Sequence, residues 1–367
     1  MVSVVHIPYN VRLLIDNIEK FSRFKVTHVD INLPTILEKY YYLTVHTGLG
    51  SRDFVLPTYL AKKLNSKCDN SDIIHTHIKN YVMRYAVRRR KSNKNKIVAT
   101  VHNPIPEFIT YLASYDFHRD FNVKQVREKI ELLKYYDAVV TVSKFIADML
   151  RELYGVENAT HIPNPIDPVK DVQEKVLEFD LQKYGIEPKN YIMWLGNRFM
   201  YVKNPLLFLR LAREFPDETF VMASNQITRE GLVSYLKRHG IGENPPKNLK
   251  VITLPSKNSR GYFLHILQNA KFSIITSYYE GFGYSVLESL SLNVPVIGPN
   301  IGGPNEIITG EVGLKYDAFD RFDLFKKFEI MNRKWKNIKN TVSYVEKKYH
   351  PKIVVQMYDK IYEEVVR

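Results

Sequence analysis

Two carboxylates, Glu280 and Glu288, stand eight positions apart around the glycine-bracketed segment Gly281-Phe282-Gly283-Tyr284-Ser285. Before them, Ser273-Ile274-Ile275-Thr276-Ser277 is a short β-rich run, and from Ser285 onward Val286-Leu287-Glu288-Ser289-Leu290 continues a helical pattern. The spacing predicts a strand, a tight turn and a helix start, with the amides of Gly283, Tyr284 and Ser285 directed at whatever lies above the strand. Such a terminus attracts anions through its unpaired N–H groups and positive dipole end, and glycine lets a ligand approach the backbone closely. A diphosphate suits it. Glu288, in the first helical turn, could accept hydrogen bonds from ribose hydroxyls, and Glu280 from those of a second sugar. The plainer alternative makes Glu280 a loop carboxylate and Glu288 a partner of the helix dipole.

Phosphate calls for cations, and Arg198 and Lys203 in "WLGNRFMYVKNP" follow another β-rich run at the edge where ligands gather. As isolated loop residues they would be ordinary surface cations. His102 closes the apolar run "KIVATVH". A histidine there is either a satisfied turn residue or a group aimed at a ligand. His75 and His77 in "DIIHTH" are read as pointing to opposite faces of a strand and so unable to share a metal ion, and no acidic Asp-x-Asp site is visible. Cys68 is the only cysteine, which excludes an intrachain disulfide and a cysteine zinc cluster.

Those residues need a frame that brings strand ends together. Short β-rich runs alternate with helical patterns along all 367 residues, the pattern of parallel sheets with crossover helices. The length suggests two domains, and 45% hydrophobic with 25% charged residues describes a globular chain. Runs near 2–7, 24–31, "YLTVHTG", "DIIHTH", "KIVATVHNP", "DAVVTVS" and "ATHIPN" make one α/β domain, and the prolines of "NPIDP" break regular structure after it. A second series restarts at "YIMWLGN". The expected division is 1–165, 166–345 and a final helix over 346–367.

The segment Glu-Gly-Phe-Gly-x-x-x-x-Glu and its surroundings, residues 267–316, resemble the E-x7-E block of the retaining glycosyltransferases of family 4. "SDIIHTH", "KIVATVHNP", "YDAVVTVSKFIADML" and "ATHIPNPID" are similar to that family's N-domain strands and link, so the resemblance covers roughly residues 70–367. It implies a GT-B architecture: two doubly wound Rossmann-like domains facing an interdomain cleft, the first on the acceptor side, the second holding the nucleotide-sugar donor, and a terminal helix crossing back to the N-domain. It also implies site roles. Arg198 and Lys203 match the family's phosphate clamp in separation, although Asn197 interrupts the usual Gly-Arg pair and Asn204 replaces a glycine. His102 falls to the transferred sugar and Glu280 to its hydroxyls, with His102 and Glu280 as the catalytic pair. Gly281, Phe282, Gly283, Tyr284, Ser285 and Glu288 fall to the donor. The family's early glycine pair is missing after the first strand; either Gly48 and Gly50 in "HTGLGSRDF" take its place, or that contact is absent and they serve the acceptor.

The implied reaction is transfer of a sugar from a nucleotide sugar, such as a UDP- or GDP-sugar, to an acceptor hydroxyl with retention, by front-face substitution in which the departing phosphate helps deprotonate the acceptor. No metal or other cofactor is expected. The acceptor could be glycan, lipid or protein. Competing readings are a nucleotide-sugar-binding protein without turnover and a basic nucleic-acid-binding protein.

The formal charge of +14 is shared by both halves, with one concentration between Arg84 and Lys96. That segment is a solvated helix end, a patch for peripheral contact with an anionic membrane, or a nucleic-acid contact, ranked in that order. No recognition-helix, zinc-finger or aromatic RNA-binding pattern accompanies it, so no nucleic-acid partner is expected. No apolar run approaches the ~20 residues of a membrane span, and the N-terminus lacks a signal-peptide layout, giving an expected cytoplasmic location with the membrane surface as its one qualification.

Overall fold

In the computed structural model, residues 2–6, 12–30, 68–77, 80–92, 94–102, 123–198, 201–240 and 244–367 are described. Gly48 and Gly50 and the run "YLTVHTG" lie outside them. The chain divides into two units, one of residues 1–165 with 351–367 and one of residues 166–350.

The first unit is built on parallel strands β1 (Val2–His6), β2 (Val26–Asp30), β3 (Ile73–His77), β4 (Lys96–Val101), β5 (Ala138–Thr141) and β6 (Ala159–His161), in the order β2-β1-β3-β4-β5-β6. The described helices are α1 (Arg12–Phe21), α2 (Asn80–Lys91), α3 (Val123–Leu133) and α4 (Lys144–Tyr154). Strand β3 is buried along its whole length, as expected for a strand covered by helices on both faces. Helix α4 shows why a segment becomes a helix here. Ser143 caps its start by accepting from the Ile146 amide, Ile146, Ala147, Met149 and Leu150 form the buried stripe, and Gly155 ends it at φ 65°.

Residues two apart on a strand share a face, and His75 and His77 do so: their rings lie 4.8 Å apart. The expectation of opposite faces is therefore wrong. Among the described residues no group of three or more His, Cys, Asp or Glu is arranged to hold a metal ion.

The second unit carries β7 (Tyr191–Trp194), β8 (Thr219–Ser224), β9 (Leu249–Thr253), β10 (Phe272–Ile274), β11 (Val296–Pro299) and β12 (Gly313–Tyr316), all parallel, in the order β9-β8-β7-β10-β11-β12. Counted within the unit this is the 3-2-1-4-5-6 order of doubly wound sheets. Its helices are α5 (Pro205–Glu214), α6 (Arg229–Arg238), α7 (Ser259–Gln268), α8 (Tyr284–Ser291), α9 (Gly302–Ile307), α10 (Arg321–Lys334) and α11 (Thr341–Tyr349). Strand order reverses between β7 and β10, and ligands of such sheets sit beyond the carboxyl ends of the strands at that reversal. The loops that follow these two strands carry Arg198 and Lys203 on one side and Glu280 on the other.

Pro351 opens the final helix, α12 (Pro351–Val366), which belongs to the first unit. Its Val354, Val355, Tyr358, Tyr362 and Val365 share one core with Leu14, Ile15, Ile18, Ile73, Val98, Val140 and Ile162. Asp359, nearly buried, accepts from Ser22 Oγ at 2.5 Å and from the Arg23 amide at 3.1 Å, fixing the helix against the end of α1.

Candidate active site

The β7 loop is shaped by what Trp194 needs. Its indole Nε1 donates to Thr276 Oγ1 at 2.8 Å, tying the end of β7 to the segment after β10. A Cβ on Gly196 would stand 2.3 Å from the Trp194 ring, so glycine is required for the indole to fold beneath the loop. Thr276 Oγ1 in turn donates to the Lys203 carbonyl at 2.9 Å, and the Tyr278 amide to the Val202 carbonyl at 2.9 Å. Asn204, which stands where the family carries glycine, has φ 44°, in the left-handed region that asparagine tolerates better than most residues. The replacement keeps the glycine-like backbone. Arg198 lies exposed on this loop.

Lys203 reaches across to Glu280. Its Nζ lies 2.5 Å from Oε1, and Ser277 Oγ donates to the same oxygen at 2.7 Å. The pair is partly buried, with side-chain exposures of 23% and 18%. Arg198 and Lys203 therefore differ in setting: one cation is exposed, the other already paired with the first carboxylate.

The turn after Glu280 delivers the start of α8. Gly283 sits at φ 105°, ψ 50°, which glycine adopts without strain, and it caps the helix with no side-chain hydrogen bond. The N-terminal end beginning at Tyr284 and Ser285 thus has no capping side chain of its own, the geometry that suits a phosphate. Gly281 is buried and Phe282 is only 6% exposed, its ring packed edge-on to Tyr284 and Tyr349. Of the expected donor-binding residues, Phe282 turns its side chain into the protein.

A second glycine pair holds this turn from below. The Gly303 amide donates to the Glu280 carbonyl at 3.0 Å. A Cβ on Gly303 would lie 1.9 Å from the Phe282 carbonyl oxygen, and one on Gly302, at φ 66°, 2.6 Å from that of Glu280. The start of α9 can approach the turn only as Gly-Gly.

Glu288 lies in α8 with its side chain 14% exposed and receives the Arg260 guanidinium at 2.8 Å. Burial raises its carboxyl above the ordinary value, and Arg260 works in the opposite direction. Arg260 also donates to the Asp171 carbonyl at 3.2 Å.

In the first unit, His102 follows β4 and is half-buried. Its Nε2 lies 2.8 Å from His77 Nδ1, with the rings stacked at 5.0 Å. Burial lowers the His102 pKa to about 3, so its imidazole is neutral at physiological pH. Behind this pair, His75 Nδ1 contacts the Tyr362 hydroxyl and His75 Nε2 the Thr100 hydroxyl, each at 2.7 Å.

The basic segment is largely committed to carboxylates. Arg84 pairs with Glu128, Arg89 with Asp69 at 2.6 Å, and Arg90 with Asp137 at 2.8 Å, while Lys96 reaches Asp137 at 4.0 Å. Lys91 lies over the Tyr135 ring. Arg88, Lys91 and Lys94 are its exposed cations. No helix among the described residues is long and apolar enough to cross a membrane.

Two α/β units on parallel sheets, with the cation loop and carboxylate turn at the reversal of the second, define a protein of GT-B type. Residues 9–170 match the family model Glycosyltransferase Family 4 and residues 177–348 the model Glycosyl transferases group 1; the chain belongs to the family 4-like glycosyltransferases. The first match begins well before residue 70, where the sequence resemblance became recognisable. The chain is 27% identical over 268 residues to 2-deoxystreptamine N-acetyl-D-glucosaminyltransferase of Niallia circulans, covering 70% of this chain and 66% of that protein. It is 24% identical over 335 residues to UDP-Gal:alpha-D-GlcNAc-diphosphoundecaprenol alpha-1,3-galactosyltransferase of Escherichia coli, covering 83% and 79%. It spans just under two thirds of the length of the first relative and 60% of that of alpha-galactosylglucosyldiacylglycerol synthase of Streptococcus pneumoniae. Among solved structures, HepE of Anabaena in complex with UDP superposes with a TM-score of 0.70 at 13% identity, covering 99% of both chains. Sucrose-phosphate synthase of Thermosynechococcus elongatus gives 0.70 at 14%, again over 99% of both. These likenesses establish the fold.

Several residues that shape the site escaped the sequence reading. Gly302 and Gly303 had a signal, an Ile-Gly-Gly-Pro turn inside the recognised block, but no spacing rule ties them to Glu280. Ser277, three residues before Glu280 in the same turn, and Arg260, on α7 while its partner Glu288 is on α8, had none. His77 had one in the strand period, which puts residues two apart on the same face.

Proposed function

We propose that this protein is a retaining hexosyltransferase that moves a sugar from a nucleotide sugar to an acceptor hydroxyl. What carries the reading is the Lys203–Glu280 pair and the uncapped start of α8, gathered at the reversal between β7 and β10. The diphosphate would lie at the α8 terminus, with Arg198 and Lys203 meeting the charge that grows on the leaving nucleotide as the glycosidic bond breaks. No metal ion or other cofactor has a step in this scheme. Glu288 would accept the ribose hydroxyls, and Glu280 would orient the transferred sugar.

His102 is assigned to a hydroxyl of that sugar. A neutral imidazole orients a hydroxyl by donating or accepting one hydrogen bond; it does not bring a positive charge. Retention follows from front-face substitution, in which the β-phosphate oxygen takes the acceptor proton on the side from which it departs. Glu280 and Glu288 do not act as a double-displacement pair, because one is given to the sugar and the other to the ribose.

UDP- and UDP-glucose-bound structures of HepE support a uridine donor as the first to test. The relatives act on an aminocyclitol and a diphosphoundecaprenol-linked sugar by name, and a small or lipid-linked hydroxyl acceptor is accordingly favoured. Contact with an anionic membrane surface would fall to Arg88, Lys91 and Lys94, since their neighbours are paired. The deciding experiment is thermal denaturation with UDP-, GDP- and ADP-sugars, followed by analysis of the anomeric configuration of the product. A donor at about 100 times its Kd should stabilise the protein by about 2.7 kcal/mol. No stabilisation by any donor, or binding without cleavage under any acceptor, would sink the enzyme reading.

A further inference from the structure

The register of the first sheet puts three imidazoles in one row. His75 and His77 lie on one face of β3, and His77 pairs in register with Thr100 of β4. His102 stands two residues beyond Thr100, on the same side, which brings its Nε2 to 2.8 Å from His77 Nδ1. His77 is 5% exposed. Its ring lies 5.0 Å from that of His102 on one side and 4.8 Å from that of His75 on the other.

We infer that His77 is a positioning residue for His102: through the Nδ1–Nε2 hydrogen bond it fixes the ring orientation and the tautomer of His102, and so decides what His102 Nδ1 presents to a sugar hydroxyl. This rests on the assignment of His102 to the transferred sugar.

The chemistry of the pair allows little else. Both bonding atoms are ring nitrogens, and the low pKa of His102 keeps it neutral. A hydrogen bond to the neutral His102 ring needs one N–H and one lone pair between the two nitrogens. If His77 Nδ1 donates, His102 carries its proton on Nδ1 and offers the ligand a donor. If His77 accepts, His102 Nδ1 offers a lone pair. The choice made at His77 is thus passed to the far side of the His102 ring.

His77 is itself held in place. His75 packs beside it at 0% exposure, with both ring nitrogens engaged, one by the Tyr362 hydroxyl and one by Thr100. The Tyr358 hydroxyl lies 3.3 Å from Thr100 Oγ1. The row of rings therefore runs from helix α12 to His102, and a ring that cannot turn makes a better template than an exposed one.

The test uses the geometry of the nitrogen. An asparagine amide places its polar atoms near the position of imidazole Nδ1, whereas glutamine reaches the position of Nε2. The variants His77→Ala, His77→Asn and His77→Gln are compared with wild type in two ways. The ring 15N shifts of His102, identified by their loss in His102→Gln, report its tautomer in the free protein. Hydrolysis of UDP-glucose, with UDP affinity measured by calorimetry, reports function.

The expected result is a changed His102 tautomer balance in His77→Ala and His77→Gln, with kcat down on the order of 10- to 100-fold and UDP affinity unchanged. His77→Asn should restore both readouts toward wild type. His102 shifts that are the same in wild type and His77→Ala would overturn the assignment whatever the kinetics. Equal loss of kcat in Asn and Gln would overturn it too, pointing to packing alone. Changed shifts in a protein whose wild type turns over no donor would support the positioning and sink the transferase reading instead.

Discussion

Lys203 Nζ lies 2.5 Å from Glu280 Oε1, joining the loop after β7 to the turn after β10 across the reversal of the sheet. The two residues are 77 apart in sequence, yet the loops also meet where the Thr276 hydroxyl donates to the Lys203 carbonyl and the Tyr278 amide to the Val202 carbonyl. The carboxylate is oriented before any ligand arrives. Lys203→Ala should then do more than remove a phosphate contact, since it also releases Glu280. We expect donor turnover to fall on the order of 100-fold and stability by about 1 kcal/mol, given that both side chains are partly exposed. A double-mutant cycle of Lys203→Ala with Glu280→Gln, read by turnover, should show strong non-additivity; additive losses would separate their roles.

Burial of the Glu288 carboxyl works against stability at neutral pH. Its folded-state carboxyl is raised above the ordinary value of 4.5, so its contribution to stability is present below pH 4.5 and is lost as pH rises through the raised value. Glu288→Gln should accordingly unfold at a higher temperature than wild type at pH 7, while binding UDP about tenfold more weakly through loss of the charged acceptor. Calorimetric titration with UDP and a melting curve on the same sample check both halves. Unaltered UDP affinity would remove Glu288 from the ribose.

The turn should be intolerant at Gly303 and indifferent at Gly310. Gly303→Ala places a methyl 1.9 Å from the Phe282 carbonyl oxygen, whereas a Cβ on Gly310 meets nothing within 4 Å. Overpacking against backbone should cost about 2–3 kcal/mol in Gly303→Ala, measured by urea denaturation, and UDP binding should fall with it because α8 moves. Gly310→Ala should stay within about 0.5 kcal/mol of wild type.

Acid should unfold the first unit through its buried histidines. The pKa of His75 is lowered to about 3, chiefly by burial and secondarily by His102, from an ordinary 6.5. A lowered value means fewer protons bound when folded, so this stability is complete above pH 6.5 and is lost as pH falls toward 3. The full shift is worth at most about 5 kcal/mol. His77 and His102 beside it, with the Tyr358 and Tyr362 rings, are the titratable groups that face it. His75→Gln should be less stable at pH 7 but lose less on acidification, as followed by circular dichroism from pH 7 to 4.

The alternation of short apolar runs with helical periods made the two parallel sheets legible, because most strands covered on both faces are largely apolar; β3, with His75, Thr76 and His77 buried, is an exception. Strand ends were legible for the same reason, and with them the placing of Arg198, Lys203, His102 and Glu280 beyond β7, β4 and β10. What the sequence hid was partnership. Nothing in Lys203 announces Glu280, nothing in Arg260 announces Glu288, and Phe282 looks like a ligand contact until its ring is found packed against Tyr349. Asn204 looked like damage to a glycine motif, yet its φ of 44° shows the backbone form retained. Pairing of residues far apart in sequence depends on sheet order, and sheet order is set by crossovers that local patterns do not encode.

The placement of α12 bears on how the protein is made. Tyr358 and Tyr362 complete a core whose other members, Leu14, Ile15, Ile73 and Val98 among them, leave the ribosome first. That core cannot close until the whole second unit has been synthesised. Until then the apolar face that α12 covers stays open to non-native contacts in the growing chain.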